Sequence, residues 1–151
     1  MGEPGVRTLD AVSVSERVLQ TMVTFDSQAL LPLLASDFVL EFPYAPAPLP
    51  RVVRGASECA ELFALSSGLV ADLRVTACEM HRLERDDMVL ALWESEGTFR
   101  QSGGCYRNRY VSLIRVRDGL VDWYAEYFDP LAAAGPSSIE STGAAGAGVR
   151  R

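Results

Sequence analysis

The chain contains no lysine; all 14 of its basic residues are arginine. Schiff-base chemistry and a lysine nucleophile are therefore excluded. Histidine occurs once, at His81, and the three cysteines, Cys59, Cys78 and Cys105, are far apart and form no CxxC pair. So few and so dispersed a set of soft ligands does not suit a zinc site, and the cysteines read as small buried hydrophobes. There is no GxGxxG run and no phosphate loop, so nucleotide binding has no support. No metal or cofactor is expected. No apolar run approaches the roughly 20 residues of a membrane helix, and MGEPGVRTLDAVSVSER lacks the basic region and apolar block of a signal peptide. The expectation is a cytoplasmic protein without a membrane partner. A net charge of −6 argues against nucleic acid, whose binding needs clustered cations.

What is present suits one soluble domain. At 151 residues, 48% hydrophobic and 23% charged, the chain is long enough to bury a core. Residues 1–11 read as a flexible leader. Ser13 to Glu16 fits a capping box, followed by a helical stripe of Val14, Val18, Leu19, Met22 and Val23. A short helix is expected over 27–34, where Pro32 is tolerable only in a first turn, then a strand over 37–43. The three prolines of YAPAPLP, residues 44–50, cannot continue a paired strand and read as a stiff loop. A brief strand at 52–54 precedes a helix over 57–66, and strands follow at about 72–84, 87–100, 104–117 and 120–128. The tail, 132–151, is Ala, Gly and Ser with little to bury and reads as disordered. Segregated helices followed by a long meander indicate an α+β fold, a curved antiparallel sheet wrapped over the helices with an open mouth suited to a ligand pocket.

The last hairpin, YRNRYVSLIRVRDGLVDWYAEYFDPL, is the most informative stretch. Asp118-Gly119 between two β-branched runs is a strong tight-turn signal. On the second strand, alternation puts Asp122, Tyr124, Glu126 and Phe128 on one face and Val121, Trp123, Ala125 and Tyr127 on the other. Glu126, flanked by Tyr124 and Phe128, is either solvated at a rim or held in an apolar pocket, where its pKa would rise toward neutrality.

Several runs carry a resemblance to a known family: EFPYAP at 41–46, VVRG at 52–55, WESEG at 93–97, GCYRNRY at 104–110 and RVRDGLVDWYAEYFDP at 115–130. Together, over roughly residues 12–131, they resemble the nuclear transport factor two superfamily, and within it the SnoaL-like and PhzA/PhzB-like group of biosynthetic enzymes. The resemblance implies a single cone-shaped α+β barrel, a homodimer through the outer sheet face, and cofactor-free acid–base catalysis in a deep apolar pocket. It implies a small apolar or amphipathic organic substrate. The family's acidic residue on the last strand corresponds to Glu126. Where phenazine enzymes carry a pocket His, this chain has Leu62, which points to a polyketide, terpenoid or prenylated aromatic rather than a phenazine.

The expected site is therefore Glu126 with Tyr44 and Tyr106 as catalytic residues, and Asn108, Tyr110, Tyr124, Trp93, Phe42, Leu62 and Phe128 around the substrate. Tyr106, Asn108 and Tyr110 share a strand face with Ile114 and Val116, so they line the interior or pack the sheet there. Tyr44 either caps the mouth of the pocket or packs as an ordinary tyrosine, and Trp93 is pocket wall or core. His81, beside a charged turn, reads as a surface residue rather than a catalyst. Arg107, Arg109, Arg115 and Arg117 read as a solvated outer face paired with acids such as Asp122 or Glu94. Asp37 and Glu41 read as surface charges or as a second carboxylate near Glu126. The expected activity is a cyclase or isomerase that opens an epoxide or closes a ring by an aldol step; an epoxide hydrolase and a non-catalytic binding module are the alternatives.

Overall fold

A computed structural model describes residues 10–135. The chain runs α1 (Ala11–Met22), α2 (Ser27–Leu30) with a 3-10 turn (Leu31–Leu33), β1 (Leu34–Glu41), β2 (Val52–Arg54), α3 (Ala56–Ser66), β3 (Val70–Arg82), β4 (Met88–Phe99), β5 (Cys105–Arg117), β6 (Leu120–Phe128) and α4 (Pro130–Ala134). This is the α+β order read from the sequence. The strands form one open, curved sheet in the order β2-β1-β6-β5-β4-β3. It is mixed rather than wholly antiparallel, because β1 runs parallel to β6 while every other pair is antiparallel. Nothing in the local pattern of either strand specifies that long-range pairing.

Period-2 alternation sets the two faces of β4 and β5, whose register is unbroken from Met88↔Arg115 to Thr98↔Cys105. Trp93 and Ser95 on β4, with Tyr106, Asn108, Tyr110, Ser112 and Ile114 on β5, are buried on the inner face. Arg107, Arg109 and Arg115 alternate outward and pair with Glu96 (3.0 Å), Glu94 (2.9 Å) and Asp122 (2.7 Å). At the β5–β6 turn both Asp118 (φ 53°) and Gly119 (φ 79°) take the left-handed conformation that a tight primed turn demands. A bulge follows, since Val121 pairs with Val116 while Trp123 pairs with Arg115. The extra residue, Asp122, swings to the arginine face, and Val121 points into the core. The alternation expected from 121 to 128 therefore holds only from Trp123 onward.

The sheet bends where β3 meets the far end of β4. Asp72 sits at φ 53° in a break of the β3–β4 register, and a Cβ on Gly97 would lie 2.7 Å from Val70 Cγ1 and 2.8 Å from the Ala71 carbonyl oxygen. Only glycine permits that approach. On the concave side, α1 contacts β3, β4, β5 and β6, and α3 contacts β1 and β2. The α1 stripe Val14, Val18, Leu19 and Met22 joins Phe38, Leu40, Ile114 and Tyr124 in the core. The helix begins at Ala11 with Asp10 at its cap, so the expected capping box at Ser13 is not its start. Among the cysteines only Cys59 is buried, and burial pushes its thiol up to about 12; Cys78 and Cys105 are exposed. Pro130–Ala134, which includes residues expected in the tail, forms a helix whose cap is Asp129, accepting from Leu131 N–H at 2.9 Å. Residues 136–151 of the expected tail, and residues 1–9 of the leader, lie outside the described residues.

Candidate active site

A cavity of about 440 Å³ opens between the inner sheet face and the helices. Met22 and Val23 come from the end of α1, Leu62 and Phe63 from α3, and Ala133 and Ala134 from α4. Trp93, Tyr106, Tyr110, Glu126 and Phe128 supply the sheet side. Among the described residues the lining contains one carboxyl, Glu126, and no cationic side chain.

Glu126 is 7% exposed. Its Oε2 accepts a hydrogen bond from the Tyr124 hydroxyl at 3.2 Å, and no arginine pairs with it among the described residues. Burial of the charged form without a counter-charge pushes its pKa from 4.5 up to about 7, partly offset by the Tyr124 bond. Of the two readings left open by the sequence, the pocket is the one observed. The carboxyl can therefore hold or release a proton near neutral pH.

A phenol pair stands on the neighbouring strand. Tyr106 and Tyr110 hydroxyls are 2.7 Å apart, Tyr110 is 2.9 Å from Ser95 Oγ, and Asn108 Nδ2 donates to the Tyr106 hydroxyl at 3.2 Å. Burial raises the pKa of both phenols, so each keeps its proton as a donor. The Trp93 indole stacks on Tyr110 at 3.7 Å, and Phe99 meets Tyr106 edge-on at 5.3 Å. These contacts fix the ring planes, and with them the direction in which the hydroxyls point.

Seven residues named from the sequence line this cavity: Glu126, Tyr106, Tyr110, Trp93, Phe42, Leu62 and Phe128. Three do not. Tyr44 is 66% exposed and packs edge-on against Tyr127 at 5.3 Å, so the proline loop carries it to the outer side of the sheet rather than over the mouth. Tyr124 is wholly buried behind Glu126. Asn108 faces inward but is spent on backbone: Nδ2 donates to the Asp129 carbonyl at 3.0 Å and Oδ1 accepts from Asp129 N–H at 3.0 Å. That clamp holds the strand end from which α4 springs. His81 is a surface residue 2.7 Å from Glu79. Asp37 pairs with Arg117 at 2.6 Å, and Glu41 accepts from Trp123 Nε1 at 3.0 Å, so neither joins Glu126 as a second carboxylate. Sequence reading missed Ser95 and Ser112, whose signal was parity: each is a polar residue on the core-facing side of its strand.

A model of the SnoaL-like domain matches residues 15–124. A PhzA/B-like protein of Pseudomonas aeruginosa, PA3332, itself uncharacterised, is 25% identical over 124 residues, covering 82% of this chain and 86% of its own. Among solved structures, a Bacillus subtilis protein provisionally named an isomerase superposes with a TM-score of 0.74 at 25% identity, covering 82% of this chain and 92% of that one. An NTF2-like protein of Burkholderia xenovorans gives 0.68 at 25% identity, covering 86% and 97%.

Proposed function

Because the chain belongs to the SnoaL-like family of the nuclear transport factor two superfamily, we propose that it is a cofactor-independent cyclase or isomerase of a small, uncharged, apolar or amphipathic metabolite. Glu126 carries the proton. The observation that supports this is a single buried carboxyl, without a counter-charge, in an otherwise uncharged cavity beside two protonated phenols. Tyr106 accepts from Asn108, and when Ser95 donates to Tyr110 and Tyr110 to Tyr106, the Tyr106 proton is left for a substrate oxygen. A carbonyl or epoxide oxygen held there would develop negative charge against that donor. Glu126, ionised, would remove a proton from the substrate, or, neutral, would give one to it. Apolar walls keep water from a reactive intermediate.

A lining without cations disfavours carboxylate or phosphate substrates, and a cavity of about 440 Å³ lies within the usual range for one drug-sized ligand. A polyketide, terpenoid or prenylated aromatic fits both limits. The protein would act as a homodimer, as the resemblance already described implies. The test is Glu126→Gln against a panel of such substrates. Turnover should fall by about 10²–10⁴-fold while ligand binding persists. Unchanged turnover would overturn the mechanism, and binding without turnover by the unmodified chain would favour a binding module. Incorporation of oxygen from labelled water into product would mark an epoxide hydrolase instead.

A further inference from the structure

The hydroxyl of Tyr124 is one donor placed between two acceptors. It is buried with no exposure, 2.9 Å from Ser112 Oγ and 3.2 Å from Glu126 Oε2. Ser112 Oγ also accepts from Trp93 Nε1 at 3.0 Å, which holds it against Tyr124. A phenol carries one proton, so a hydrogen bond made to one of these oxygens is withdrawn from the other. We propose that Tyr124 and Ser112 are a positioning pair that sets the protonation of Glu126. Tyr124 turns its proton to Glu126 when that carboxyl ionises and back to Ser112 when it is neutral.

The pair would let one carboxyl serve as both base and acid in a turnover without stranding a buried donor in either state. It rests on the reading of Glu126 as the proton carrier. Among the described residues no other charged side chain lines the cavity: α1, α3, β3 and β4 bring apolar, hydroxyl or indole groups to it, and β5 brings the phenols of Tyr106 and Tyr110. The Cys78 thiol on β3 is the other titratable group that acts on Tyr124. Neither Tyr124 nor Ser112 lines the cavity, so neither is expected to touch substrate.

The experiment is a pH titration of the full chain, ligand-free, labelled with ¹³C at the glutamate carboxyl. Glu126→Gln identifies the resonance. Tyr124→Phe keeps the ring and removes the donor, so the midpoint should rise by about half to one pH unit. Ser112→Ala removes the competing acceptor and should move the midpoint the other way, by up to about half a unit. Opposite signs support the pair. An unmoved or lowered midpoint in Tyr124→Phe, or a raised one in Ser112→Ala, overturns it, and a purely structural role would not give opposite signs. Should Tyr124→Phe fail to fold, the sign in Ser112→Ala decides alone. Failure here with turnover still lost in Glu126→Gln removes the pair and leaves the catalytic reading intact. A midpoint near 4.5 in the unmodified chain removes both.

Discussion

Replacing Glu126 by Gln should change how stability depends on pH, by an amount that follows from its burial. In the folded chain the carboxyl titrates at about 7 rather than 4.5, which at about 1.4 kcal/mol per pH unit corresponds to about 3 kcal/mol. The sign follows from proton binding. Between these values the folded state holds a proton that the unfolded state has released, so stability falls as pH rises. The contribution is fully present below about pH 4.5, is lost up to about pH 7, and is flat above. Gln has the shape of the neutral acid and no ionisation. The difference between the two proteins should therefore be constant in acid and should grow in favour of Gln by about 3 kcal/mol between pH 4.5 and 8. Urea denaturation followed by the fluorescence of Trp93 and Trp123 at several pH values measures it, and groups elsewhere cancel in the difference. A difference flat to within about 0.5 kcal/mol would show that Glu126 ionises freely, and the burial argument would fail with it.

Three further outcomes follow from the placement of other residues. Tyr44→Ala should leave ligand binding and turnover unchanged and cost less than about 1 kcal/mol, since the side chain lies outside the cavity; a large loss of turnover in steady-state assays would return it to the site. Asn108→Ala should cost about 1–3 kcal/mol in urea denaturation, because Asp129 N–H loses its acceptor and the Asp129 carbonyl, which also accepts from Ala133 N–H, loses one of its two donors, and hydrogen exchange should rise across α4. Gly97→Ala should cost about 1–3 kcal/mol by the same measure, since its Cβ meets backbone at 2.8 Å; a neutral effect would mean that β3 is free to give way.

How far the molecule could be read in advance depended on how far each feature was local. On β5 the alternation runs unbroken, so the inward placement of Tyr106, Tyr110 and Ile114 was legible from spacing. On β6 the bulge at Asp122 shifts the phase, and a count that crosses it misplaces Val121 and Asp122 while leaving Tyr124, Glu126 and Phe128 on their true face. The parallel pairing of β1 with β6 joins segments some 80 residues apart, and neither strand announces it. Tyr44 follows a strand whose direction was clear into a loop whose path was not, so its side was a matter of tertiary geometry. Ser112 was hidden by chemistry rather than by distance. A serine in a strand looks neutral until its inward parity is noticed, and its role appears only once Tyr124 and Trp93 are seen to converge on it.

The most direct measurement is proton transfer itself, read in heavy water as carbon-bound deuterium with a candidate ketone substrate of the polyketide or terpenoid type. The unmodified chain should place deuterium from solvent on the substrate or product during turnover. Glu126→Gln, with its ligand affinity intact, should slow that incorporation by about 10²–10⁴-fold. Equal incorporation by the two proteins, at equal ligand occupancy, would contradict the assignment of Glu126 as the group that moves the proton.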